Sequence, residues 1–60
     1  MKATYDIFRR IPETGLVWIE SVQDLENIKA RLLHLINLCP GEYFVFDPTT
    51  ASIIVRMTSA

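Results

Sequence analysis

Folded into a hairpin, the stretch GEYFVFDPTTASIIVRM, Gly41 to Met57, places Phe44, Phe46, Ile53 and Val55 on one face and Tyr43, Val45 and Ile54 on the other. A strand sends alternate side chains to opposite faces of its sheet, so this hairpin is apolar on both sides. A single helix covers only one of them. The other face must meet something else, and no other feature restricts so strongly what a chain of this size can fold into.

Sixty residues make one domain near the lower limit of unaided folding, because such a chain buries only about 60% of the surface its unfolded form exposes. Ordering costs about 1.5 kcal/mol per residue and apolar burial roughly cancels it, so small domains take on a disulfide, a metal or a partner subunit. Cys39 is the only cysteine and His34 the only histidine, so neither an internal disulfide nor a zinc-type ligand set is expected. No cofactor is expected either. Gly15 and Gly41 each stand alone in a turn and form no phosphate-cradling run. Oligomerisation is the means of stabilisation left, and a homodimer is its expected form.

Six Lys and Arg against seven Asp and Glu leave no broad basic footprint for nucleic acid and little charge to resist self-association. The longest apolar runs are four residues or fewer, far short of the roughly 20 needed to cross a bilayer, so no membrane span is expected. Charges interrupt the opening MKATYDIFRR before any apolar segment develops, which does not fit a secretory signal. A cytoplasmic location is the expectation, and a free thiol agrees with it.

Thr4 to Ile11, TYDIFRRI, is rich in aromatic and β-branched residues, PETG supplies a turn with Gly15 able to take a positive φ, and LVWIES reads as the returning strand. Trp18 joins Tyr5 and Ile7 if Ile11 pairs with Leu16, and joins Phe8 if the pairing slips by one. Ser21 with Asp24 resembles a capping box and predicts a helix start. Leu25, Ile28, Leu32, Leu35, Ile36 and Cys39 then form an apolar stripe. Pro40 and Gly41 end the helix. EYFVFD and SIIVRM are the last two strands, around PTTA, and TSA reads as a loose end. The expected fold is a single α+β domain of ββαββ order, a mainly antiparallel four-stranded sheet on one helix, with hairpins over 4–20 and 42–57, a helix over 22–39 and sheet order 2-1-3-4.

The pattern YDIFRR…G…WIES, a capped helix, then PGEYFVFD resembles a group of very short uncharacterised bacterial proteins that share the ββαββ layout. The resemblance extends over nearly the whole chain. It implies a fold and brings no activity and no catalytic residues.

No catalytic group is expected. His34 falls opposite the apolar stripe, where it reads as a solvated surface residue. Cys39 ends the helix, where the dipole disfavours a thiolate, and reads as a buried core thiol. The first functional expectation is therefore a homodimeric or partner-binding module whose second sheet face is lined by Phe8, Trp18, Tyr43, Val45 and Ile54. The opposite parity of the second hairpin exchanges the last three for Phe44, Phe46, Ile53 and Val55. The alternative is a nucleic-acid-binding regulator using Arg9, Arg10 and Arg56 beside strand aromatics.

Overall fold

The computed structural model describes residues 3–59. Its element order is β1 (Thr4–Ile11), β2 (Gly15–Gln23), α1 (Leu25–Leu38), β3 (Glu42–Asp47) and β4 (Ser52–Thr58). The strands form one antiparallel sheet of order β2-β1-β3-β4, and α1 packs on one face of it. The α+β class, the ββαββ layout and the strand order are those expected from the sequence. No helix among the described residues is long and apolar enough to cross a membrane.

The first hairpin turns on Pro12. The N–H of Thr14 donates to the carbonyl of Ile11 at 3.1 Å, and Gly15 follows with φ 95°, a conformation that glycine adopts without steric cost. Ile11 therefore pairs with Gly15, and Phe8 with Trp18. Between Ile7 and Phe8 the register shifts by one, so Ile7 faces Glu20 and Ile19 is the extra residue of a β-bulge. Both registers allowed by the sequence are thus present, one on each side of Ile19.

Ser21 is not a helix cap. β2 runs on to Gln23, and Ser21 donates to Asp6 Oδ1 across the sheet at 2.7 Å. Asp24 takes the N-cap position at φ 69°, and its N–H donates to the carbonyl of Ala3 at 3.2 Å. The helix starts at Leu25, three residues later than expected, because pairing to β1 claims the segment that carries Ser21 and Val22.

The core consists of Ile7, Ile28, Leu32, Tyr43 and Val45, all essentially inaccessible, with Tyr5, Ile19, Val22, Leu35, Ile36, Val55 and Met57 packed round it. Burying each such side chain contributes roughly 1.5–3 kcal/mol. Tyr43 and Val45 are therefore core residues, contrary to their expected place on the second face. The reason is register. Val45 pairs with Ile7 and Tyr43 with Arg9, which commits that parity to the helix side. Two members of the expected helix stripe also lie outside the core, since Leu25 is half exposed at the helix start and Cys39 is exposed. Cys39 leaves the helix at φ −145° as an exposed residue, so it is not a core thiol.

Thr58 and Ser59 are tied down as well, while Ala60, the last residue of the expected loose end, lies outside the described residues. Thr58 pairs with Glu42, and the N–H of Gly41 donates to Ser59 Oγ at 2.9 Å while the N–H of Ser59 donates to the Gly41 carbonyl at 3.2 Å. Residues 58–59 are held where a loose end was expected.

Candidate interaction face

The sheet face away from α1 carries three rows that cross all four strands, beyond which Thr4 pairs with Gln23. Phe8 of β1 forms the middle row, with Trp18 on one side and Phe44 then Arg56 on the other. One end row holds Ser21, Asp6, Phe46 and Ile53, and the opposite end row holds Leu16, Arg10, Glu42 and Thr58. Phe8 and Phe46 meet edge to face, with ring centroids 6.3 Å apart at 89°, a preferred aromatic arrangement. Trp18 is 55% exposed, Leu16 50% and Ile53 52%. A shallow depression of about 270 Å³ lies among Arg10, Gly15, Leu16, Phe44 and Ile53.

Polar groups lie in the two end rows and, in the middle row, at Arg56 on the edge strand β4. At one end, Asp6 Oδ1 accepts from Trp18 Nε1 at 3.3 Å and from Ser21 Oγ at 2.7 Å, which fixes the orientation of the indole. At the other, Glu42 accepts from Arg10 at 3.4 Å and from Arg56 at 2.7 Å. Both arginines are largely exposed. Between the end rows the middle row carries Trp18, Phe8 and Phe44, with Arg56 at its β4 edge.

Of the expected interface residues, Phe8 and Trp18 lie on this face. Tyr43 and Val45 do not, and their places are taken by Phe44, Phe46 and Ile53. Val55 pairs with Val45 and packs on the core. Ile54 is the extra residue of a second bulge, opposite the step from Val45 to Phe46, and is exposed. Asp6, Leu16 and Glu42 were not anticipated on this face. Their signal was present, because Asp6 shares the parity of Phe8, Leu16 that of Trp18 and Glu42 that of Phe44.

The three arginines of the nucleic-acid alternative do not form one surface. Arg9 lies on the helix side, where its Nη2 donates to the carbonyl of Pro40 at 3.2 Å, and a Cβ on Gly41 would come within 3.1 Å of its Nε. The helix has no basic residue in its last turn. Arg9 supplies that charge from the sheet, which favours the helix C-terminus. Arg10 and Arg56 share Glu42, which offsets part of the positive field a phosphate would need. The 550 Å³ cleft beside them, lined by Arg9, Arg10, Pro12, Pro40, Gly41 and Glu42, combines those engaged cations with a carboxylate and a backbone carbonyl.

On the helix side, Glu20 accepts from Arg31 Nε at 3.1 Å and Nη2 at 2.5 Å, tying β2 to α1. Burial pushes the Tyr43 phenol above its ordinary value near 10, and the neighbouring Arg9 only partly opposes that. His34 is exposed on the outer side of the helix. Among the described residues no three His, Cys, Asp or Glu side chains gather as a metal ligand set.

No family model matches the chain, and neither a curated protein nor a solved structure shows significant similarity to it.

Proposed function

We propose that the protein is a small interaction module without catalytic activity of its own, and that the open sheet face is its docking surface for another protein or a further copy of itself. The observation that carries this reading is the contiguous apolar surface of Phe8, Trp18, Phe44, Phe46, Leu16 and Ile53 on the uncovered face of a two-layer domain. Contiguous exposed apolar patches mark interaction sites, and large aromatics bring much contact area for few rotatable bonds. The two charged ends form the polar rim typical of such surfaces.

On this reading, the half-exposed Trp18, Leu16 and Ile53 serve an intermolecular contact and add little to the intrinsic stability of one chain. The test is thermal unfolding at high dilution of the double variant Trp18→Ser, Ile53→Ser. A midpoint within a few degrees of the wild type is expected, since about 1 kcal/mol moves the midpoint of a domain this small by roughly 4–8 °C. A loss as large as that of the core variant Ile28→Ala would assign these side chains to the fold and overturn the reading.

A further inference from the structure

On the open face, the middle row and the Arg10 row are each self-complementary about the line between β1 and β3. That line leaves β2 and β1 on one side and β3 and β4 on the other. In the Arg10 row it separates Arg10 from Glu42, opposite charges on the two central strands. In the middle row it separates Phe8 from Phe44 on those strands, and Trp18 from Arg56 on the two edges. Each of these residues thus has at its mirror position a group suited to bind it: a carboxylate for a guanidinium, a ring for a ring, an indole for a cation.

We infer that the occupant of the open face is a second copy of this chain, packed face to face about a twofold axis that runs along the strands between β1 and β3; the proposal rests on the reading of this face as a docking surface. Rotation about such an axis keeps each row at its own level and sets every side chain over its mirror position. Each contact then occurs twice, as in any isologous interface. Phe8 packs on the partner's Phe44 at the centre. Arg10 stands over the partner's Glu42, and with the in-chain pair at 3.4 Å the four charges form a square whose sides all join opposite signs. Arg56, largely exposed while its Nε donates to Glu42, reaches the partner's Trp18, whose indole is held by Asp6. Stacked sheets pack about 10 Å apart at roughly 30° to one another. That angle displaces the edge strands more than the central pair, so the contacts of Arg10 with Glu42 and of Phe8 with Phe44 are the best defined. An axis across the strands at Phe8 would pair Arg10 with the partner's Asp6, but it stacks Arg56 on the partner's Arg56 and lays Glu42 over the partner's Phe46. Like-charge juxtaposition, and a carboxylate set on an aromatic face, disfavour it.

Charge exchange in the full chain tests the pairing. Arg10→Glu alone and Glu42→Arg alone each set two like-charge contacts across the axis, and each is expected to weaken dimerisation at least about tenfold. Mixing these two variants puts opposite charges at both contacts, so a mixed dimer forms, as read by native mass spectrometry, at a concentration where either variant alone is monomeric. Mixing Arg10→Glu with Asp6→Lys should give no such rescue; rescue there belongs to the axis across the strands and would overturn this pairing. Phe44→Glu should give a monomer that circular dichroism shows to be folded. Trp18→Lys, at a more exposed position, sets a second cation against Arg56 and should do the same. A wild-type chain that stays monomeric throughout the concentration range would overturn the inference and leave another protein as the occupant. If Phe44→Glu and Trp18→Lys both remain dimeric, the open face is not the interface, and the docking reading falls with the pairing. If they are monomeric but Arg10→Glu and Glu42→Arg associate no better mixed than alone, this pairing is overturned while the docking reading stands.

Discussion

The hydroxyl of Tyr43 donates to the carbonyl of Cys39 at 2.6 Å and lies 3.4 Å from that of Leu35, so a strand residue closes the last turn of the helix from beneath. This contact adds to the packing of Tyr43 and Val45 with Ile28 and Leu32 in joining β3 to α1. It also suits the parity of the second hairpin, which the register with β1 sets. A tyrosine placed inward finds the acceptors its hydroxyl needs at the helix C-terminus, whereas the neighbouring Phe44 and Phe46 need none and face outward.

Tyr43→Phe should therefore keep the fold and lose about 1 kcal/mol, the usual net worth of a buried hydrogen bond. The same contact sets an alkaline limit. Because burial raises the folded-state pKa above the unfolded value near 10, the stabilisation is fully present below about pH 10 and is lost as pH rises through the raised folded value. Denaturant unfolding between pH 8 and pH 12 should show wild-type stability falling in that upper range, with a shallower decline for Tyr43→Phe.

Ile28→Ala removes one of the five fully buried side chains among the described residues and should cost about 3 kcal/mol. A domain this small rarely holds more than about 3–5 kcal/mol in its core, so the variant should be substantially unfolded by circular dichroism at high dilution at room temperature.

Arg9 and Arg56 are predicted to differ sharply although both lie on strands. Arg9→Met withdraws the cation and donor beneath the helix C-terminus and should cost about 1 kcal/mol. Arg56→Gln breaks an exposed ion pair with Glu42 and should stay within about 0.5 kcal/mol. Chemical denaturation of the two variants in parallel checks the contrast.

The β3–β4 turn contains a correctable strain. Asp47 Oδ1 accepts from the N–H of Thr49 at 2.9 Å, and Ala51 then takes φ 54°, a left-handed conformation that disfavours residues with a Cβ by roughly 1–2 kcal/mol. Ala51→Gly should raise stability by about 0.5–1 kcal/mol, the relief being partly cancelled by the greater freedom of glycine in the unfolded chain. A lowered unfolding midpoint would contradict this account of the turn.

The sequence made the layout readable because its strongest signals are local: the Pro12 and Gly15 turn, the spacing of Ile28, Leu32, Leu35 and Ile36, and the Pro40 and Gly41 stop. Strand order followed from connection rules once those elements were in place. The errors are of another kind, since each depends on a contact between distant segments. Ser21 reads as a cap until Asp6 claims its hydroxyl across the sheet. The bulges at Ile19 and Ile54 leave no mark in the alternation, and each moves a pairing by one residue. Tyr43 and Val45 reached the wrong face on paper because both parities of the second hairpin are apolar, and only the registers with Ile7 and Arg9 decide between them. Phe8 is legible on the open face because it points away from Tyr5 and Ile7 in either register, whereas Trp18 joins it only in the register in which Ile11 pairs with Gly15.

The central claim is that the aromatic sheet face is closed by a second copy of the chain. Absolute mass by light scattering, over a dilution series at low and high salt, tests it most directly. The account predicts twice the chain mass at both salts, since the contact is mainly apolar and its charged ends lie at the rim, with the mass halving in Phe44→Glu. A wild-type chain of single mass across the series, or a Phe44→Glu variant that keeps the double mass, would contradict it.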